Sequence, residues 1–290
     1  MGPRLCKFLF VLVPLLALHA SAQAAYVEVE TKTALRGVWV HHDIDATDLR
    51  VDVVFVAGEA DASGPEGIAH YLEHLMYWHA DRTDQKLVHG RSGNAWVNQY
   101  VTVYLGTVPR SHQFSARQTS EIGKLLSFAH RLLTVPDLNE TFMKRERDIV
   151  AREYDLRVVE NPDRRSWDAN FKRLAGDNPL GRNVVGTRES IASLSLEQAE
   201  AFHRKHYSPA NMYLFISGAV NRNTARKLVE VEFGDVEPGK RNDQAWRRAA
   251  MASPINTTVT MADRYVEAQA INHMRLTDWT SGDRLTDIYT

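Results

Sequence analysis

Cysteine is almost missing from this chain: among 290 residues there is one, Cys6. That excludes an internal disulfide framework and any zinc site built from several thiolates, so a bound metal would fall to His, Asp and Glu. An excess of one charge is missing as well, with 35 Lys and Arg against 36 Asp and Glu. A chain so balanced lacks the cationic surplus that neutralises nucleic-acid phosphates, and no nucleic-acid partner is expected. Apolar runs of membrane-spanning length are also lacking. The longest, Phe8 to Leu18, reaches about half of the roughly 20 residues a helical span requires.

What surrounds that short run is informative. Arg4 and Lys7 precede it and Ala22-Gln23-Ala24 follows it, the order of charged, apolar and small residues found in export leaders. We expect residues 1–24 to be a signal peptide, the protein to be periplasmic or secreted, and no membrane span to remain after cleavage. The rest of the chain, without any cysteine, suits an oxidising compartment.

Hydrophobic periodicity alternates between strand and helix without a sustained repeat. Strands are expected over residues 26–30, 37–41, 49–56, 94–99, 101–108 and 212–217, and helices from about Glu66 and over residues 119–133, 138–159 and 196–206. Strands cluster early and helices follow, so the expected class is α+β, a mostly antiparallel sheet with helices packed on one face. Residues 237–256 turn polar with Pro and Gly and are expected to be a linker. That frames a domain at 25–236 and leaves 257–290 as the start of a second, incomplete one.

The chemistry concentrates in Gly67-Ile68-Ala69-His70-Tyr71-Leu72-Glu73-His74. At 100° per residue, Ile68, Leu72 and Leu75 fall on one side of a helix, while His70, Glu73, His74 and Tyr77 gather on the other. Histidines four apart can aim both rings at one point, as two imidazole ligands of a zinc ion must. Glu73, beside that point rather than on it, is placed to take a proton from water, the general-base role. A solvated helix face carrying His and Glu would give the same string, so a third ligand is needed to decide.

The segment from Leu138 offers candidates. Leu138, Phe142, Ile149 and Leu156 form its apolar stripe, and Glu146 and Glu153 fall inside that stripe, away from Lys144, Arg147, Asp148 and Arg152. An inward carboxylate is costly unless it is neutralised, paired or metal-bound. A salt bridge to an arginine such as Arg157 is one solution. A metal shared with the histidines is the other, with Glu153 as third ligand and Glu146 holding a ligand histidine or the water. Two His and one Glu leave one position of a tetrahedral ion open, as catalytic zinc sites do.

From about Val27 to Val236 these motifs resemble the inverzincin metallopeptidases of the M16 family, the pitrilysin, insulysin and mitochondrial-processing-peptidase group. Gly67-Ile68-Ala69-His70-Tyr71-Leu72-Glu73-His74 is similar to that family's metal helix, and Arg145-Glu146-Arg147-Asp148-Ile149-Val150-Ala151-Arg152-Glu153 to its segment bearing the distal glutamate. Residues 178–191 and 202–212 resemble the stretches that follow. The resemblance implies a LuxS/MPP-like half-fold and one Zn2+ per chain on His70, His74 and Glu153. It further implies catalysis by Glu73 and a supporting role for Glu146. Residues 93–104 resemble the strand on which such enzymes lay an extended peptide substrate, with Asn94 and Ala95 as contacts, although Val97 and Tyr100 stand where the family carries Thr and Asp. It implies, finally, that a second similar domain completes the peptide chamber, from a homodimer or from a heterodimer with an M16-like subunit. A non-catalytic, zinc-stabilised partner or peptide-binding subunit is the alternative. No Gly-x-Ser-x-Gly motif supports another hydrolase class.

Overall fold

A computed structural model describes residues 26–81, 93–109 and 116–243. The expected leader, most of the expected linker and the segment 257–290 lie outside the described residues. Within them, six strands form one sheet: β1 (Val27–Glu28), β2 (Gly37–His42), β3 (Asp48–Phe55), β4 (Gly93–Val97), β5 (Thr102–Pro109) and β6 (Met212–Gly218). Their order is β1-β2-β6-β3-β5-β4. Only the β2–β6 pairing is parallel among the described pairings, Gly37 facing Tyr213; the others are antiparallel. The fold is thus the mixed α and β class expected from the order of strands and helices.

Among the described residues seven α-helices accompany the sheet: α1 (Ile68–Asp81), α2 (Ala116–Arg131), α3 (Glu140–Tyr154), α4 (Pro162–Ala175), α5 (Arg188–Ser193), α6 (Leu196–His206) and α7 (Arg222–Phe233). Alternation along β3 sends Leu49, Val51, Val53 and Phe55 inward, where they join Leu72 and Leu75 of α1, Leu125 of α2, Phe202 of α6 and Val229 of α7 in the main core. The opposite face of the sheet is not wholly polar. Val54, Val101, Val103 and Phe215 form a smaller buried cluster there, next to the Arg50–Asp52 ion pair at 2.7 Å.

Several boundaries differ from the sequence expectation for local chemical reasons. Strand β4 ends at Val97 rather than residue 99, because the Asn98 side chain accepts hydrogen bonds from the backbone N–H groups of Tyr100 and Val101 and folds the chain into a tight turn. Helix α3 starts at Glu140 because Asn139 caps it, accepting from the Phe142 N–H. It runs on after Tyr154 as a π-helix, Asp155–Val159, closed by a Glu160 N–H to Asp155 carbonyl bond of 2.9 Å. Helices α4, α5 and α7 were not anticipated. The expected apolar stripe on α3 also needs correction: Met143, Glu146 and Val150 are its buried residues, Phe142 and Ile149 are half-buried, and Leu156 is exposed on the π-helix.

Helix α1, which carries the histidine motif, is buried on nearly every side. Its entry is set by two glycines at positive φ, Gly67 at 89° and Gly186 at 86°. A Cβ on Gly67 would meet the Val185 carbonyl at 3.0 Å, so the close approach of the two loops and the left-handed backbone both require glycine here. The first turn is held by a residue remote in sequence. The fully buried Glu59 carboxylate accepts from the backbone N–H groups of Gly67 and Ala69 at 3.0 and 3.1 Å, where the helix dipole favours negative charge. Arg182 donates to the same carboxylate at 2.8 Å and to the carbonyls of Gly64 and Pro65. Burial pushes the Glu59 carboxyl up to about 7, against the pull of Arg182 and the two amides. The backbone N–H groups of Glu59 and Ala60 bond to the carbonyls of Asn98 and Gln99. One buried carboxylate residue therefore joins the start of α1, the β4–β5 turn and the loop at Arg182.

Removing one member of a buried ion pair strands the other, at a cost of about 3–5 kcal/mol. Glu59→Ala is expected to lose that much stability in urea unfolding, while Arg182→Lys, which keeps the charge, loses less. A second expectation concerns acid. His203 of α6 is buried, its Nε2 bonds the Leu132 carbonyl at 2.9 Å, and burial pulls it down to about 4 from 6.5. A depressed folded value means that the neutral ring's contribution is complete above pH 6.5 and is lost as pH falls toward 4, in all about 3 kcal/mol. Urea titrations at pH 7 and pH 4 should show a smaller acid loss in His203→Gln than in the unaltered chain.

Candidate metal centre and cleft

Three side chains from two helices converge. His70 and His74 lie one turn apart on α1, their rings edge to face with centroids 4.9 Å apart. Across from them, near the end of α3, Glu153 places Oε2 at 3.4 Å from His70 Nε2 and Oε1 at 3.7 Å from His74 Nε2. One ligand atom from each residue lies within 4.8 Å of the others, a spacing that fits a single cation. The helices meet there because α1 packs on α3, with the Tyr71 hydroxyl donating to the Met143 carbonyl at 3.1 Å.

The donors suit a zinc ion in detail. Glu153 Oε2 is buried and has no hydrogen-bond partner among the described residues, an orphaned oxygen of the kind a cation satisfies. His74 Nδ1 lies 3.3 Å from Glu146 Oε2. Donation from Nδ1–H to that carboxylate leaves the Nε2 lone pair facing the cluster, the tautomer a metal ligand needs. Glu146 is fully buried and favours the protonated ring, raising His74 above the ordinary histidine value despite the opposing effect of burial. The Glu153 carboxyl is held below its usual range, chiefly by the neighbouring His70 imidazole. His70 Nδ1 has no hydrogen-bond partner among the described residues.

Glu73, three residues beyond His70, reaches to 3.9 Å from His70 Nε2 with Oε2. It is 7% exposed, and burial pushes its carboxyl up against the pull of the two imidazoles. A buried carboxylate beside two imidazoles, its proton affinity raised, is suited to receive and return a proton. Glu146 and Glu153, both expected to point inward, have distinct settings. Glu146 is sealed beneath His74, whereas Glu153 is partly exposed and opens on a cleft. The alternative partner, Arg157, does contact Glu153, Nη2 to Oε2 at 3.5 Å, but its side chain is 62% exposed and does not seal the carboxylate in.

The cleft has a volume of about 780 Å3, with His70, Glu73, His74 and Glu153 on its wall. Strand β4 forms another wall and contributes Asn94, exposed, and Ala95, half-buried. Because β4 ends the sheet order, one side of its backbone has no partner strand among the described residues. Sequence reasoning missed Arg182 and Trp167 as cleft residues, and it missed the anchoring Glu59 altogether. Other histidines are engaged elsewhere: His42 with the Val220 carbonyl, His79 with Thr134, and His41 against the Tyr26 ring.

Several proteins named as peptidases or proteases are similar to this chain in sequence or in fold. A family profile described as Peptidase M16 inactive domain matches residues 193–267, a segment containing α6, β6 and α7 and none of the converging side chains. The probable mitochondrial-processing peptidase subunit beta of Schizosaccharomyces pombe is 26% identical over 226 residues, 75% of this chain and 47% of the relative. An uncharacterized zinc protease of Bacillus subtilis, YmfH, is 29% identical over 159 residues, 54% of this chain and 35% of the relative. The chain thus spans about half or less of the length of these curated relatives. Among solved structures, the periplasmic protease PqqL of Escherichia coli aligns with a TM-score of 0.64 at 18% identity, over 78% of this chain and 25% of that one. A protease of Helicobacter pylori aligns at 0.61 with 21% identity, over 80% and 54%. By sequence and by fold, this chain's similarities lie with the M16 peptidase family and its zinc-protease members.

Proposed function

We propose that the chain is the metal-bearing half of a zinc-dependent endopeptidase that cuts peptides or small unfolded proteins. The observation that carries this is the convergence of His70, His74 and Glu153 within 4.8 Å, with the buried Glu73 beside them. The histidines and Glu153 would hold one zinc ion, which, when bound, supplies Lewis acidity toward a peptide carbonyl and makes water a better acid. Glu73 takes the proton of the attacking water at its carboxylate and returns it to the departing amine. Glu146 keeps His74 in the ligating tautomer throughout. The free side of β4, at Asn94 and Ala95, receives the substrate as an added extended strand, which favours tolerance of sequence because the bonds run to the backbone.

We assign this activity to residues 25–236, with 237–256 as a linker and 257–290 as the start of a second domain. A partner domain, from a second copy or from an M16-like subunit, completes the chamber. The leader at residues 1–24 supports a periplasmic or secreted setting. Among the described residues no helix is long and apolar enough to cross a membrane. The match of residues 193–267 to an inactive-domain profile favours a second reading, a zinc-stabilised, non-catalytic subunit. Turnover separates the two.

Glu73→Gln is expected to retain zinc and lose about 10²- to 10⁴-fold in peptide cleavage, the usual worth of a positioned general base. His70→Ala and Glu153→Ala are expected to lose the metal itself. Metal analysis alongside a fluorogenic peptide assay, with and without an M16-like partner, checks both. Full activity in Glu73→Gln refutes its role, and zinc binding without cleavage in every combination favours the non-catalytic subunit. Glu146→Gln should bind zinc 10- to 100-fold more weakly, read by competition with a chelator.

A further inference from the structure

Four cations line the cleft, and their counter-charges differ in kind. Arg182 is matched by Glu59 at 2.8 Å, Arg164 by Asp168 at 2.8 Å and Lys172 by Glu66 at 3.6 Å. None of those carboxylates belongs to the converging cluster. Arg157 differs: its counter-charge among the described residues is Glu153, at 3.5 Å, itself a member of the cluster. When a divalent ion draws on the Glu153 carboxylate, Arg157 keeps its full charge and loses much of what balanced it. The other cleft cations keep their partners.

The π-helix gives this residue its place. Residues 155–159 lie just beyond Glu153, with Asp155 tied to Arg188, whose guanidinium also lies over the Tyr154 ring. Arg157 follows within that anchored turn. Its guanidinium stays largely in solvent at the cleft rim, so it can reach an incoming group without first being uncovered. Glu73, the nearby carboxylate that could compete for it, is buried among the imidazoles.

We infer that Arg157 is a recognition subsite for a substrate carboxylate beside the metal centre. This rests on the zinc-peptidase reading and adds to it a class of substrate: peptides bearing an acidic side chain, or their own C-terminal carboxylate, near the bond to be cut. Guanidinium and carboxylate match in shape as well as charge, through paired N–H donors. The preference depends on the metal, because in its absence Glu153 competes for the same guanidinium.

The test measures binding apart from turnover. Zinc-loaded full-length Glu73→Gln is titrated with fluorescently labelled undecapeptides in three forms: Asp scanned through successive positions with an amidated C-terminus, Asn at the same positions with a free C-terminus, and Asn with an amidated C-terminus. At least one carboxylate-bearing form is expected to bind about tenfold or more tightly than the neutral one. The first form succeeding assigns a side-chain carboxylate, and the second assigns the terminus. The preference should fall to within about twofold in Glu73→Gln/Arg157→Gln, persist in part in Glu73→Gln/Arg157→Lys, and shrink when zinc is removed with a chelator. Equal binding of all three forms, no binding of any, a preference that survives Arg157→Gln, or one indifferent to zinc overturns the inference. Cleavage of the neutral peptide by the chain and by Arg157→Gln, with metal content, tests the peptidase reading separately.

Discussion

The architecture depends on how α1 hides its polar face. A helix buried all round is ordinarily apolar all round, yet α1 carries His70, Glu73 and His74 into the interior. Ionisable groups in such a place must meet partners of matching charge. Helix α3 provides them: Glu146 under one imidazole, Glu153 between the two. Once that requirement is met, the crossing of α1 over α3 is fixed, and with it the shape of the cleft and the distance from the cluster to β4.

That requirement also explains what could be read from the sequence. Histidines four apart share a helical face whatever the tertiary structure, and glutamates inside an apolar stripe call for an explanation, so His70, His74, Glu146 and Glu153 stood out. Separate duties for Glu153 and Glu146 are expected as well; the spacing leaves open whether Glu146 faces a ligand histidine or the water, and it lies 3.3 Å from His74 Nδ1. Most strands were legible from alternation, and their ends were blurred where one side chain decided the matter, as at Asn98. Helices α4, α5 and α7 follow caps at Asn161, Thr187 and Asn221, signals that the periodicity search passed over.

Glu59 shows where sequence reasoning ends. Its partner Arg182 is 123 residues away, and neither belongs to a periodic pattern. Its importance lies in backbone groups it satisfies at the first turn of α1, contacts that leave no trace in residue spacing. The two positive-φ glycines belong with it: the conformations of Gly67 and Gly186 let two loops touch so that one carboxylate can serve both. A catalytic reading of the centre and the inactive-domain similarity of residues 193–267 are compatible in one chain, since the converging side chains come from α1 and α3, ahead of that segment.

The π-turn after Glu153 sets the bearing of Arg157. Each residue of such a turn advances the chain by less than the 100° of an α-helix, so shortening residues 155–159 by one would restore ordinary winding and change the bearings of the side chains within the turn. Glu153, upstream, would stay with the histidines while the guanidinium of Arg157 rotated to another bearing. Helix length alone can therefore move the guanidinium at the cleft rim while the converging side chains stay where they are.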